Sequence, residues 1–134
     1  MSKVMGLREA LRRYVRDGSV LCLGGISLCR RPMAAAYEII RLGIRDLHLI
    51  DIAPGMPQIL LALAGSASVV EGCWHGYELF GHPYMWRNLV ERGPKETGYR
   101  FNDESHYMLS LRFVAGWLGV PFIPTYTARG SDLW

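Results

Sequence analysis

The sequence predicts an α/β fold: an open, mostly parallel sheet with helices on both faces. Three observations carry the prediction. Short apolar runs, "SVLCLGG", "DLHLIDIA" and "SASVVEGCW", alternate with helical patterns, "PMAAAYEIIRLG" and "PQILLALAG"; this alternation builds βαβ units. The first run, "SVLCLGG", is short and continuously apolar, as expected of a strand covered on both faces. Prolines open the helical segments and glycines close them, at Pro32 and Gly43 and again at Pro57 and Gly65.

The elements follow in order. Ser2 to Asp17 reads as a helix, with Val4, Leu7, Leu11 and Val15 three or four apart and Gly18 at the stop. "SVLCLGG" is the first strand, and the helix opened by Pro32 follows it. "DLHLIDIA" is the second strand, the Pro57–Gly65 segment the third helix and "SASVVEGCW" the third strand. "HGYELFGHPYMWRNL" is rich in glycine and aromatics, and its second half reads as helix. "ESHYMLSLRFVAGWLG" is a final helix with Met108, Leu111, Val114 or Ala115, and Leu118 along one face. "VPFIPTY" reads as a last strand, its prolines placing it at an edge or a strand end. Ligands in such sheets bind outside the carboxyl ends of the strands. That puts Gly24-Gly25, "DIAPG", "EGCWHG" and "TYTARGSD" on one rim. Residues 1–134 read as a single domain without repeats, low-complexity segments or linkers. The chain ends eight residues past Tyr126 with no closing helix, so a missing C-terminal part is expected.

Composition narrows the function classes. Half of the 134 residues are apolar and a fifth are charged, as in an ordinary globular domain. The net charge is +3, with fifteen Lys and Arg scattered among twelve acids. A nucleic-acid surface would gather its basic residues on one face, and the densest basic run, "LREALRRYVR", reads as a solvated helix face. No apolar run approaches the roughly 20 residues that span a bilayer, and no apolar secretory core opens the chain. Neither nucleic acid nor membrane is expected as a partner. Three cysteines, Cys22, Cys29 and Cys73, lack metal-ligand spacing and read as reduced cytoplasmic thiols, with Cys22 a small hydrophobe inside its strand.

The stretch "VLCLGGISLCRRP" is the most informative. Glycine lets a ligand approach the backbone, and the N-terminus of the helix after Pro32 offers N–H groups to an anion or oxyanion. Arg30 and Arg31 stand ready to add charge-assisted hydrogen bonds. No Gly-Lys-Ser/Thr follows, so this is not a phosphate-binding Walker loop, nor is it the GxGxxG fingerprint. A tight strand-to-helix turn with solvent-facing arginines accounts for the same residues.

"DGSVLCLGGISLCRRP" resembles the N-terminal signature of the family I coenzyme A transferases. Asp17, Gly18, Leu21, Cys22, Leu23, Gly24, Gly25 and Pro32 match it. Ile26 stands where Phe is usual and Arg30 where Gly is usual. "EIIRLGIRDLHLI", "DESHYMLSLRFVAGWLGVPFIPT" and "GSDL" are similar to the A-type subunits of glutaconate-type transferases, in the same order along the chain. In the family, a glutamate carboxylate attacks an acyl-CoA, an anhydride and then a glutamyl-CoA thioester form, and CoA passes to a second acid. That nucleophile belongs to a B-type subunit or a C-terminal half, and the resemblance implies a B-type subunit as a partner. Coenzyme A is then part of the substrate, with no tightly bound cofactor. The A-type chain would contribute N–H groups near Gly24 to Ser27 that face the developing oxyanion.

A related branch hydrolyses carbon–carbon bonds in cyclic CoA thioesters from steroid ring degradation, with the acting glutamate in the A-type chain. The resemblance places that role on Glu104, in "NDESHYM". A carboxylate at a helix N-terminus is held by the helix dipole, and His106 beside it can share a proton. Equally, Asn102 or Asp103 caps the helix and Glu104 only complements its dipole. With the resemblance added, Glu104 is the expected catalytic residue. Gly24, Gly25, Ser27 and Arg30 are expected at the substrate from the glycine loop, and Ser105, His106 and Arg129 from the later segments. Arg129 reads either as a carboxylate fork or as a surface arginine.

His75 and Glu78 sit three apart among Trp74, Tyr77 and Phe80. A metal would need a third ligand that the pattern does not name, so no metal is expected; acyl-pocket lining and ordinary core suit the aromatics equally. Asp51 reads as a turn cap, and His48 and His82 as exposed or packed residues. The expected function is that of the A-type chain in a two-chain enzyme acting on acyl-CoA, a ring-cleaving hydrolase or a transferase between carboxylic acids. A non-catalytic scaffold and a sugar-phosphate isomerase-like protein remain as alternatives.

Overall fold

The structure is a computed structural model and describes residues 3–26, 28–74 and 76–133, with the side chain of Glu78 left out. The elements are α1 (Leu7–Tyr14), β1 (Val20–Leu21), α2 (Met33–Arg41), β2 (Leu47–Ile50), α3 (Met56–Leu63), β3 (Ala67–Gly72), α4 (Tyr84–Arg92), α5 (Pro94–Thr97), β4 (Arg100–Asp103) and α6 (His106–Leu118). A short 3-10 turn, Glu78–Phe80, precedes α4. Among the described residues, no helix is long and apolar enough to cross a membrane.

The four strands are parallel and stand in chain order, β1-β2-β3-β4. Right-handed crossovers taken in one direction place their helices on one face. Leu47, Leu49 and Val70 point to that face and are sealed against Ile39 of α2 and Ile59 and Leu61 of α3. Burying each such side chain contributes about 1.5–3 kcal/mol. Trp86 of α4 extends the same layer, edge-on to Phe101 of β4, and its indole N–H donates to Tyr99 Oη at 3.0 Å. α6 lies on the opposite face, where His48, Glu71 and Asn102 point, and its Arg112 reaches Glu71. The predicted parallel α/β architecture with helices on both faces is therefore the one observed.

Local departures have physical reasons. The first helix is shorter than predicted, because Val15 already takes an extended conformation. β1 pairs over only two residues, and Cys22 beyond it is exposed, not a core residue. Asp17 Oδ1 accepts from the Arg45 N–H at 2.8 Å and the Gly18 N–H donates to the Arg45 carbonyl at 3.1 Å, so this Asp-Gly pair ties the approach to β1 to the approach to β2.

The predicted strand at 120–126 does not form. Pro121 and Pro124 cannot donate to a ladder, and the segment instead lies along α6. The fourth strand is "RFND", Arg100–Asp103, in register with β3 through Val69–Arg100 to Gly72–Asp103. Along α6 the buried residues are Leu109 and Ala115, whereas Val114 and Leu118 of the predicted stripe are exposed.

Candidate active site

The carboxyl ends of all four strands form one rim, stitched loop to loop. The Cys73 N–H donates to the Ile52 carbonyl at 3.2 Å and the Glu104 N–H to the Gly72 carbonyl at 3.0 Å. Gly72 is what allows the loop after β2 to lie against β3. A Cβ there would sit 2.3 Å from Pro54 Cγ and 2.8 Å from the Asp51 carbonyl oxygen. "TYTARGSD" follows no strand; the residues that follow the last strand are Glu104 and Ser105.

The two glycines after β1 have different tasks. Reciprocal hydrogen bonds, Ile26 N–H to Cys29 O at 3.1 Å and Cys29 N–H to Ile26 O at 2.7 Å, close a tight loop. Gly25 has φ +94°, and a Cβ on it would stand 2.6 Å from the Arg30 carbonyl oxygen. What presses on Gly25 is the chain's own backbone. The Ile26 N–H is spent inside the loop, so it is not the free oxyanion donor expected of that segment. Gly24 is different: nothing lies within 4 Å of the place a Cβ would take. Ser27 lies outside the described residues.

Arg30 is exposed and has φ +53°. The position where glycine is usual in the resembled signature thus keeps a glycine-like backbone while carrying an arginine. Arg31 is the arginine the loop folds around. Its Nη1 lies 2.5 Å from Asp51 Oδ2, the two side chains only 2% and 6% exposed. Its Nη2 donates to the Ala53 carbonyl, and Nη1 also faces the Leu23 and Gly24 carbonyls at 3.4 Å. Asp51 accepts further from the Ala53 N–H at 3.1 Å and from Gln58 Nε2 at 2.6 Å. Gln58 Oε1 in turn accepts from the Gly55 N–H at 3.0 Å. Asp51 is more than a turn cap: it joins the first two rim loops to the start of α3.

A second cluster occupies the far end of the rim. Glu104 follows β4, its side chain 20% exposed, and its Oε1 accepts from Arg112 Nη1 at 3.0 Å. The same nitrogen lies 2.6 Å from Oε2 of Glu71, at the end of β3. Glu71 Oε1 accepts from Asn102 Nδ2 at 3.1 Å and lies 3.0 Å from His48 Nε2. The His48 and Arg112 approaches are close charge contacts off the ideal hydrogen-bond direction. Burial alone would raise the Glu71 carboxyl, but the Asn102 hydrogen bond and the charges of Arg112 and His48 outweigh it and hold the pKa below its ordinary value. Cys73, free and half-buried, is pushed up to about 11 by burial and by the carboxylates of Glu104, Asp103 and Asp51.

Glu104 and Arg112 form the polar end of a groove of about 510 Å³. Met108, Leu111 and Ala115 make one wall, and Val120, Phe122 and Ile123 the other. The helical stripe read from the sequence thus lines a groove more than it fills a core.

The other expected site residues are scattered. Ser105 caps α6, its hydroxyl accepting from the Met108 N–H at 3.0 Å; the cap is neither Asn102, which holds Glu71, nor Asp103. His106 is exposed at the first turn of α6, and Arg129 stands over the Tyr126 ring at 5.9 Å, also exposed. None of Gly24, Gly25, Arg30, His106 or Arg129 lines the groove. Tyr77 donates to Met56 Sδ at 3.2 Å, Trp74 packs on His82 at 4.7 Å between ring centroids, and Phe80 is exposed. These aromatics do not share the Glu104 groove. His75 lies outside the described residues, as does the side chain of Glu78.

Comparisons with known proteins agree with the fold. The family model described as coenzyme A transferase matches residues 4–132. The chain is 37% identical over 133 residues to the A-type subunit of 3-oxoadipate CoA-transferase from Pseudomonas knackmussii, covering 99% of this chain and 46% of that protein. It is 34% identical over 134 residues to the A-type subunit of glutaconate CoA-transferase from Acidaminococcus fermentans, covering 99% of this chain and 41% of the other. Among solved structures, glutaconate coenzyme A-transferase from Acidaminococcus fermentans superposes with a TM-score of 0.86 at 31% identity, over 98% of this chain and 41% of that one. The decarboxylase AibA/AibB superposes with a TM-score of 0.82 at 29% identity, over 96% and 48%. The chain spans less than half the length of the curated relatives it matches. Its nearly complete match to the family model and its colinear likeness to A-type subunits mean that this chain belongs to the coenzyme A transferase family, on the side of the A-type subunits.

Proposed function

We propose that this chain supplies the acyl-binding half of a two-chain enzyme that moves coenzyme A between carboxylic acids, with a B-type subunit completing the site. The observation that carries the reading is Glu104: a partly exposed carboxylate on the rim, ion-paired to Arg112 at the polar end of an apolar groove. The groove suits the acyl chain of a thioester, and its polar end suits the reacting carbonyl. Two relatives are named for dicarboxylic acids, 3-oxoadipate and glutaconate, so a short dicarboxylic acyl group is the first substrate class to test. Gly24, with its open flank, lets the CoA part of the substrate approach the backbone at the other end of the rim.

In this reading the partner's glutamate carboxylate attacks the thioester carbonyl and expels CoA thiolate, leaving an acyl-glutamyl anhydride. The thiolate attacks the glutamyl carbonyl, which frees the first acid and leaves a glutamyl-CoA thioester. A second carboxylate reverses the sequence and departs as the new acyl-CoA. Glu104 and Arg112 hold the acyl end in place.

One observation favours a second reading, ring-cleaving hydrolysis of a CoA thioester. Glu104 belongs to this chain, and among the described residues only its Oε1 is engaged, by Arg112, which leaves Oε2 to accept a proton from water. The deciding experiment assays the chain co-expressed with its partner against a panel of CoA thioesters, with and without a free acid acceptor. Turnover that requires the acceptor supports transfer, and turnover without it supports hydrolysis. Absence of turnover in every arm leaves the family's chemistry out of this chain and favours a scaffold. Glu104→Gln at the wild-type rate removes Glu104 from the site.

A further inference from the structure

The most deeply buried carboxylate at the rim's far end is Glu71, not Glu104. The Glu71 side chain is 7% exposed against 20% for Glu104, and its two oxygens face residues from three elements: His48 of β2, Asn102 of β4 and Arg112 of α6. A buried carboxylate requires a compensating charge. Arg112 supplies it, at 2.6 Å, and meets Glu104 through the same nitrogen at the longer distance of 3.0 Å. Arg112 is half exposed, a long side chain held at its inner end. One guanidinium is shared by two carboxylates, and the inner one has the closer contact.

Resting on the placement of Glu104 in the site, we infer that Glu71 is a positioning residue: it draws Arg112 inward and so prevents a two-pronged Arg112–Glu104 pair, leaving one Glu104 oxygen free at the groove. Without Glu71 the planar fork of Arg112 would close on Glu104 with both prongs, the preferred arginine–carboxylate geometry. Asp103 of β4 adjoins Glu104 in the chain, His106 stands at the first turn of α6, and both Glu104 and Asp103 act on Cys73 in the loop after β3. Asp51 faces Cys73 from the loop after β2, and His48 faces Glu71 from β2. Among the described residues Arg112 is the cation that meets both carboxylates, and its sharing decides how strongly Glu104 is neutralised.

The test reads Glu104 directly. The titration of its side-chain carboxyl is followed by carbon-13 NMR in the full chain, assigned with Glu104→Gln, for wild type, Glu71→Gln and the double variant Glu71→Gln/Arg112→Leu. The double variant leaves no buried unpaired charge and guards against loss of folding. With Glu71 neutral, Arg112 serves Glu104 alone, so the midpoint falls by about 1 pH unit in Glu71→Gln and rises again when Arg112 is also removed. In the enzyme with its partner, Glu71→Gln lowers kcat with little change in KM, whereas the double variant, which also removes the groove's Arg112, raises KM. A Glu104 midpoint in Glu71→Gln that is unchanged or raised overturns the inference. Turnover by Glu104→Gln tests the functional reading separately, because the NMR midpoints stand whatever that turnover is.

Discussion

Arg31 Nη1 lies 2.5 Å from Asp51 Oδ2 in a nearly sealed contact, whereas its neighbour Arg30 faces solvent. Removing one partner of a buried pair leaves the other uncompensated, at a cost of about 3–5 kcal/mol. Arg31→Leu should lower unfolding stability by that order, while Arg30→Ala stays within about 0.5 kcal/mol. Urea denaturation of both variants decides this; equal losses would remove the distinction between the two arginines.

Arg30 has a second consequence through its φ of +53°. A non-glycine residue there carries roughly 1–2 kcal/mol of backbone strain, partly offset because glycine gains about 0.5–1 kcal/mol of freedom on unfolding. Arg30→Gly should therefore stabilise the chain modestly, and Arg30→Val should destabilise it. Thermal melts in parallel give the order expected: Gly, then Arg, then Val.

The glycines separate in the same way. Gly72→Ala forces a Cβ against Pro54 and should cost about 1–3 kcal/mol as overpacking. Gly24→Ala meets open space and should leave stability unchanged. If the Gly24 backbone approaches the CoA part of the substrate, the same variant raises the KM for acyl-CoA. Unchanged kinetics would confine the glycine loop to a structural role.

The Glu71 pKa is depressed in the folded state. Its contribution to stability is present above the unfolded carboxylate value of roughly 4.3 and is lost as the pH falls through the lower folded value. Wild-type stability should therefore drop steeply on acidification below about pH 4, and Glu71→Gln should lack that part of the slope. Denaturant midpoints measured against pH check the difference.

Cys73, raised to about 11, holds almost no thiolate near neutrality, so alkylation there should be slow. Because Glu104 contributes to the rise, Glu104→Gln should speed labelling of Cys73. Mass spectrometry after timed iodoacetamide exposure reads both rates.

Much of the fold was legible in the sequence because βαβ alternation is written in runs and periods. "DLHLIDIA" and "SASVVEGCW" became β2 and β3, and the proline- and glycine-bounded segments became α2 and α3. "RFND" escaped because four residues with charged ends carry no strand period, and their pairing is set by β3 alone. "VPFIPTY" misled because its apolar content serves a groove wall. Within the site, Glu104 stands on the rim, at the end of a strand the sequence did not reveal. Arg31, Asp51, Glu71 and Arg112 were missed as partners because each bond joins distant segments. One local signal was available: two charges, Asp51 and Glu71, interrupt otherwise apolar strand runs, and a buried charge calls for a partner across the fold.

The side-by-side succession of the strands in chain order bears on how the molecule forms. Each strand pairs with the one before it in the chain, yet every pairing closes across an intervening segment, as from Val20 to His48 and from Val69 to Arg100. Closing these loops costs entropy before the strands meet, which makes parallel pairing slower than the formation of local contacts. Growth from the N-terminus during synthesis can then proceed one strand at a time. Glu71 and Glu104 share Arg112 only after β4 has paired and α6 has followed it.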